Sequence, residues 1–257
     1  MTTRSRCGRG WDIGATAATL LVLVATLALL AACAPQTAQR APPAQPSHPS
    51  QPAGRAAILP PSFPLGFYQD AAKRGEPVFE VDAVGSLVTI EVRRAGSLAN
   101  LGHDHVIASH DLRGYVAPLE GRADFCVRLD RLTVDEPQLR AQAGFDTQPS
   151  AADIAGTRRN MLGQVLDAEA HPWALIAVTR KAEGSEPDAA ITLNGITRNV
   201  PVRAAIESDA GVYSVAGTLA IEQTDFGLRP YSILGGALAV ADRLDIRFTI
   251  VARRLPR

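Results

Sequence analysis

From about residue 78 onward, apolar and polar residues alternate along the chain. In "LVTIEV" (87–92), Val88, Ile90 and Val92 fall on one side, with Thr89 and Glu91 on the other. "YSVAGTLAIEQ" (213–223) repeats the pattern with Tyr213, Val215, Leu219 and Ile221. "RLDIRFTIV" (243–251) sets Leu244, Ile246, Phe248 and Ile250 against Asp245 and Arg247. A period of two is that of a strand with one buried face. "AAITLNGITRNVPVRAAIE" (189–207) predicts a hairpin, because Asn194-Gly195 supplies both positive-φ positions of a type I′ turn. "PSAADIAGTRRNMLGQVLDAEAHP" (149–172) breaks the period. Ser150 and Asp153 form a capping-box pattern, and Ile154, Met161, Leu162, Val165 and Leu166 then share one helical face. Pro172 stops that helix. The pattern predicts an all-β, antiparallel domain of about eight strands with one inserted helix. Period alone leaves a sandwich and a closed barrel both open.

The first 75 residues do not share this pattern. Arg4, Arg6 and Arg9 precede an apolar run from Ile13 to Leu30, and "LLAAC" ends at Cys33. A positive start, an apolar centre and small residues before a cysteine describe an export signal of the bacterial lipoprotein type. The expected organisation is a signal peptide over 1–32, a tether over 33–75 and a β-barrel domain over 76–257. Cys33 is the expected acylation site. Ala34, rather than Asp, follows it, which resembles the outer-membrane sorting pattern. The expected location is therefore the cell envelope, lipid-anchored and facing the periplasm. Nine of the chain's 18 prolines lie within 34–64, a composition that favours an extended, semi-rigid spacer.

Charge and cysteine content narrow the function classes. The chain has 26 basic and 26 acidic residues. Losing residues 1–32 removes three basic and one acidic residue, leaving 23 against 25, a net charge of −2. No basic stripe interleaved with aromatics predicts nucleic-acid binding. Cys7 leaves with the signal and Cys33 is acylated, so Cys126 is left as an incidental thiol without a disulfide partner.

The densest chemistry sits in "GSLANLGHDHVIASHDLRGYV" (96–116). On a strand, His103 and His105 share one face and Asp104 takes the other. Three roles are open to them. Their rings can satisfy backbone groups or pair with Asp104 or Asp111. They can meet a ligand head group at a barrel rim. They can bind a metal, with His110, Asp111 or His171 as a third ligand. No HExxH, CxxC, phosphate loop or dinucleotide fingerprint accompanies them, so no cofactor, metal or catalytic residue is assigned. Arg158 and Arg159 are expected on the solvated face of the helix. Asp225 is expected to fix a turn.

The C-terminal half resembles the YceI-like family. The resemblance is carried by Asn194-Gly195-Ile196-Thr197-Arg198 with Val200, by Thr224-Asp225-Phe226-Gly227, by "VLDAEAHP" (165–172) and by "VADRLDIRFTIVAR" (240–253). It runs from about Phe79 to Arg253. It implies a periplasmic, lipocalin-like barrel that binds a long isoprenoid or other amphiphilic chain. The sequence departs from the family pattern in places. Asp82 and Ser86 match an Asp-x-x-His-Ser start, but Gly85 stands where its histidine is expected, and Arg94 replaces a later one. Gly102-His103-Asp104-His105 replaces a Gly-x-Phe segment, which resembles a GHDH-containing lipoprotein subgroup. The expected ligand contacts are Val88, Ile90, Val92, His103, His105, Phe125, Val127, Leu129, Ile176, Val178, Leu219, Ile221, Phe248 and Ile250. The expected function is a membrane-tethered binding protein, not an enzyme, for an isoprenoid, quinone-like or other amphiphilic lipid. The alternatives are a metal-binding protein or metal-dependent enzyme using His103 and His105, and a module that docks onto a membrane redox protein.

The lipoprotein reading has a direct consequence. Mass spectrometry of the mature protein is expected to find Cys33 as the diacylated N-terminal residue. Cys33→Ala is expected to accumulate as an uncleaved precursor. An intact Met1 on a functional, unlipidated protein would contradict it.

Overall fold

In the computed structural model, the described residues are 59–180, 188–209 and 211–256. The signal, Cys33, His48 and the tether up to residue 58 lie outside them. Among the described residues, thirteen strand segments are present: twelve follow eight chain paths, because several long strands are broken by bends, and the short β12 (Ser232–Ile233) is added beside the last. β1 (Phe79–Val81) and β2 (Leu87–Ala95) form the first path. β3 (His105–Ser109) with β4 (Arg113–Ala117) forms the second, and β5 (Arg122–Arg128) with β6 (Thr133–Val134) the third. β7 (Trp173–Thr179) and β8 (Asp188–Leu193) are unbroken. β9 (Ile196–Pro201) and β10 (Arg203–Asp209) are separated by Val202 alone. β11 (Val212–Glu222), a two-residue β12 (Ser232–Ile233) and the seventeen-residue β13 (Leu238–Arg254) complete the order.

Each path pairs antiparallel with the next. β2 pairs with β3, β4 with β5, β5 with β7, β7 with β8, and β8 with β9. β10 then pairs with β11, β11 with β13, and β13 returns to β2 and β1. Between β9 and β10 the ring is joined by the backbone at Val202 and not by a continuous ladder. The eight expected strands are therefore eight paths cut into twelve segments, with the two-residue β12 in addition. Local chemistry explains one cut. At the bend after β1, Asp82 Oδ1 accepts from the Val84 N–H at 3.1 Å, and the Ser86 hydroxyl donates to the Asp82 carbonyl at 2.8 Å. The Ser86 hydroxyl also accepts from the Val251 N–H at 3.0 Å, so it stands in for a ladder partner that the bend removes.

The turns obey the sequence where φ must be positive. Asn194 and Gly195 have φ of 51° and 72°, and Leu193 pairs with Ile196 across them. Gly217 is required by a close approach. It lies opposite Phe248 in the β11–β13 ladder, and a Cβ there would stand 2.6 Å from Phe248 Cζ.

Three α-helices replace the single one expected. α3 (Ala151–Asn160) is the predicted helix, with the Ser150–Asp153 capping box in place, and it runs on into a π-helical turn at Met161–Val165. Ile154, Met161, Leu162, Val165 and Leu166 pack on the main core, as their spacing predicted. Arg158 is exposed but not free: its guanidinium donates to the Asp130 carbonyl at 2.5 Å. α2 (Pro137–Ala143) covers the outer face of β3, where Leu139 packs with Val106 and Ala108.

α1 (Leu65–Lys73) corrects the boundary of the tether, because it folds within residues assigned to it. Tyr68 and Ala71 bury against Phe63, Tyr115 and Cys126, on the outer face of β4 and β5. The Tyr68 hydroxyl donates to Asp124 at 2.6 Å, and burial raises its pKa well above the ordinary tyrosine range. Burial, helped by the Asp111 carboxylate, pushes the Cys126 thiol up to about 12. It is therefore an inert core group.

Tyr68→Ala is expected to cost about 3–5 kcal/mol, by analogy with deletion of other buried aromatic rings. It should also open Cys126 to a thiol reagent that leaves the native protein unmodified. Denaturant melts and thiol titration check both. A Cys126 that stays inert would show that α1 is not what shields it.

Candidate functional site

The inner faces of the strands enclose a cavity of about 980 Å³. Register decides which residues reach it. Ile90 pairs with Ile246 on one side and with Ile107 on the other, so all three share a face. Phe125 pairs with Ile176, and Ile176 with Ile191, in the same way. The structure places all fourteen expected contact residues on the cavity wall: Val88, Ile90, Val92, His103, His105, Phe125, Val127, Leu129, Ile176, Val178, Leu219, Ile221, Phe248 and Ile250. Sequence reasoning missed the wall supplied by α3, where Gly156, Thr157, Asn160 and Met161 also face the cavity.

One part of the wall is polar. Asp104 turns away from the two histidines and accepts from the Arg94 N–H at 2.8 Å. His103 and His105 lie with ring centroids 6.2 Å apart and planes at 72°. The ring partner of His105 is neither Asp104 nor Asp111 but Asp135, with 2.6 Å between Nδ1 and Oδ2. Asp135 is wholly buried and has φ of 56°, unusual for a residue other than glycine. Its other oxygen accepts from the Val106 N–H at 3.0 Å and from Arg140 at 2.6 Å. Burial opposes the Asp135 charge. The hydrogen bonds from His105, Val106 and Arg140 outweigh it and hold the carboxyl below its ordinary pKa.

The free edges of the two imidazoles differ from their bound edges. His105 Nε2 has Thr157 Oγ1 at 3.5 Å, the far limit of a hydrogen bond. His103 Nδ1 is buried and has no hydrogen-bond partner among the described residues. His110 points elsewhere and contacts Glu136 at 2.8 Å. Asp111 is engaged by Arg113 and Arg131. The third ligands imagined for a metal are therefore committed to other partners or, in the case of His171, placed beside the Asn194-Gly195 turn. Among the described residues, no three His, Cys, Asp or Glu side chains are grouped to hold a metal ion. The turn expected to depend on Asp225 is held instead by Asp242, which accepts from the Thr224 N–H at 2.9 Å and from its hydroxyl at 2.5 Å, while Asp225 is exposed.

An up-and-down ring of eight paths around an apolar cavity, without a ladder between β9 and β10, has the architecture of a lipocalin-like barrel. The YceI-like domain matches residues 79–252, and the chain belongs to that family. A polyisoprenoid binding domain from Saccharophagus degradans, implicated in plant cell wall breakdown, superposes with a TM-score of 0.51 at 13% identity. That match covers 69% of this chain and 98% of the other. BcnA from Burkholderia cenocepacia is similar at 16% identity and a TM-score of 0.46, over 66% of this chain and 98% of its own. No curated protein matches the chain.

The buried carboxylate sets a pH dependence. The folded pKa of Asp135 lies below its unfolded value of about 3.9. Its stabilisation is then full above about pH 4 and is lost as pH falls through the folded value. Asp135→Asn should destabilise the protein at neutral pH by about 3–5 kcal/mol at most, since it leaves Arg140 buried without its charge partner. The gap between wild type and variant should close on acidification. Paired urea melts across that range test it, and a constant gap would contradict it.

Proposed function

We propose that the protein is a membrane-tethered binding protein for one long amphiphilic chain, an isoprenoid, a quinone-like lipid or a similar molecule. It acts as a carrier and not as an enzyme. The acylated Cys33 anchors it to the envelope, facing the periplasm and most consistent with the outer membrane. The tether that follows Cys33, up to α1, serves as the spacer. One observation carries this reading: a cavity of about 980 Å³ walled almost continuously by aliphatic and aromatic side chains. Its size is at the upper end for small-molecule pockets. Burying apolar surface contributes about 25 cal/mol per Å², so a chain of many methylenes binds tightly with few polar contacts. Family membership and the fold shared with a polyisoprenoid binding domain support the same class of ligand.

Val127, buried on the cavity wall, provides the test. Val127→Trp should fill the space a ligand would occupy. Uptake of a fluorescent long-chain lipid is expected to collapse, with thermal stability of the ligand-free protein nearly unchanged. If the interior were a packed core, the same change would overpack it and cost about 1–3 kcal/mol. A large loss of stability, with no lipid uptake by wild type, would defeat the proposal.

A further inference from the structure

The polar part of the cavity wall has a chemical sense of its own. Asp135 carries no proton to donate, because the Val106 N–H and Arg140 donate to it and its carboxyl is held below its ordinary pKa. The His105 proton must then sit on Nδ1. In the neutral ring that leaves a lone pair on Nε2, on the side that faces the cavity. Arg140 does not reach the cavity wall and is engaged in full elsewhere, by Asp135, the Asp104 carbonyl and Thr147. Its charge balances that of Asp135 within the wall. The nearest hydroxyl to Nε2, on Thr157, is at 3.5 Å and rotates, so it leaves the acceptor weakly occupied. His103 Nδ1 is buried and unpartnered among the described residues, in a ring whose centroid is 6.2 Å from that of His105. Asp153, on α3, also lines the cavity, and its negative charge disfavours an anion there.

We infer that His105 Nε2 is the acceptor of a head-group subsite that selects a chain ending in a neutral hydroxyl over one ending in an ether or a carboxylate. Asp135 and Arg140 are its positioning residues. This rests on the proposed chain-binding function and adds polarity to it. The aliphatic wall holds the chain, and the histidine edge sets which end of the chain lies at the α3 side. A hydroxyl donates to the lone pair. An ether has no proton to donate, and its oxygen would face a nitrogen lone pair. A carboxylate would meet that same lone pair and the nearby Asp153. A donor matched to a buried acceptor discriminates because the mismatched ligand leaves the acceptor unpaired.

The test uses the full-length protein in detergent and three probes of one chain length: a long-chain primary alcohol, its methyl ether and the corresponding fatty acid. The alcohol is expected to bind up to about tenfold more tightly than the ether, as one net hydrogen bond allows. His105→Leu should bind alcohol and ether alike, at the affinity wild type shows for the ether. A second measurement does not depend on that variant folding. In wild type, the ¹⁵N spectrum of the His105 ring should show Nδ1 protonated and Nε2 bare. Nε2 should shift on adding the alcohol and stay in place with the ether. Asp135→Asn should mix the two tautomers and shrink the preference. Equal binding of alcohol and ether by wild type would overturn the subsite while leaving the carrier reading intact. Preference for the fatty acid would overturn it too, because it requires a donor or a positive charge at the head group and not an acceptor. Binding of none of the three would sink the carrier reading itself.

Discussion

The pairing of β13 along both edges is the constraint on which the interior depends. One edge meets β2 and β1, the other β11 and β12. This one strand brings the last path back to the first. It also fixes which side chains point inward, since a shift of one residue would turn every row over. With the register as found, Leu244, Ile246, Phe248 and Ile250 face the cavity, and Asp245 and Arg247 do not. Gly217 belongs to the same constraint. It clears the space opposite Phe248, so the ring can lie inward without forcing β11 away. A ring of about this size can be filled by its own side chains or hold one small ligand, and here the aliphatic rows leave about 980 Å³ open.

Electrostatics divides the wall into two parts. Charges inside an apolar cavity are costly unless paired. The chain buries Asp135 and Arg140 within the wall, where they neutralise each other, and on the β3 and α3 side it presents the two imidazoles, Thr157 and Asp153 to the space within. The cavity thus combines a large non-directional surface with one directional edge. The first governs affinity for a chain, and the second governs its orientation. The outer surface is treated differently. α1 and α2 cover the faces of β3, β4 and β5, and Tyr68 and Leu139 make those faces into secondary cores.

Much of this was legible in the chain. Alternation in 87–92, 213–223 and 243–251 identified the inward rows, because a strand's period of two is strong and local. Asn194-Gly195 and the Ser150–Asp153 box were legible for the same reason. What escaped lay in contacts that are distant in sequence or in short elements. Asp135 is 30 residues from His105, and the short β3–β6 pairing brings them together. Nothing in the residues around Asp135 marks His105 as its partner. α1 directly follows the proline-rich stretch, inside residues given to the tether, although Tyr68 and Ala71, three apart, share its buried face. The bends that cut eight paths into twelve segments depend on hydrogen bonds such as that from Val251 to Ser86, which no local pattern contains.

The central claim is that the interior is built to hold one amphiphilic chain. Native mass spectrometry of the full-length protein, released gently from membranes of cells that make it, tests this most directly. The account predicts a single bound lipid mass per chain, lost when Val127 is replaced by Trp. A protein that emerges at its own mass alone, and that takes up no long-chain lipid when offered it, would contradict the account.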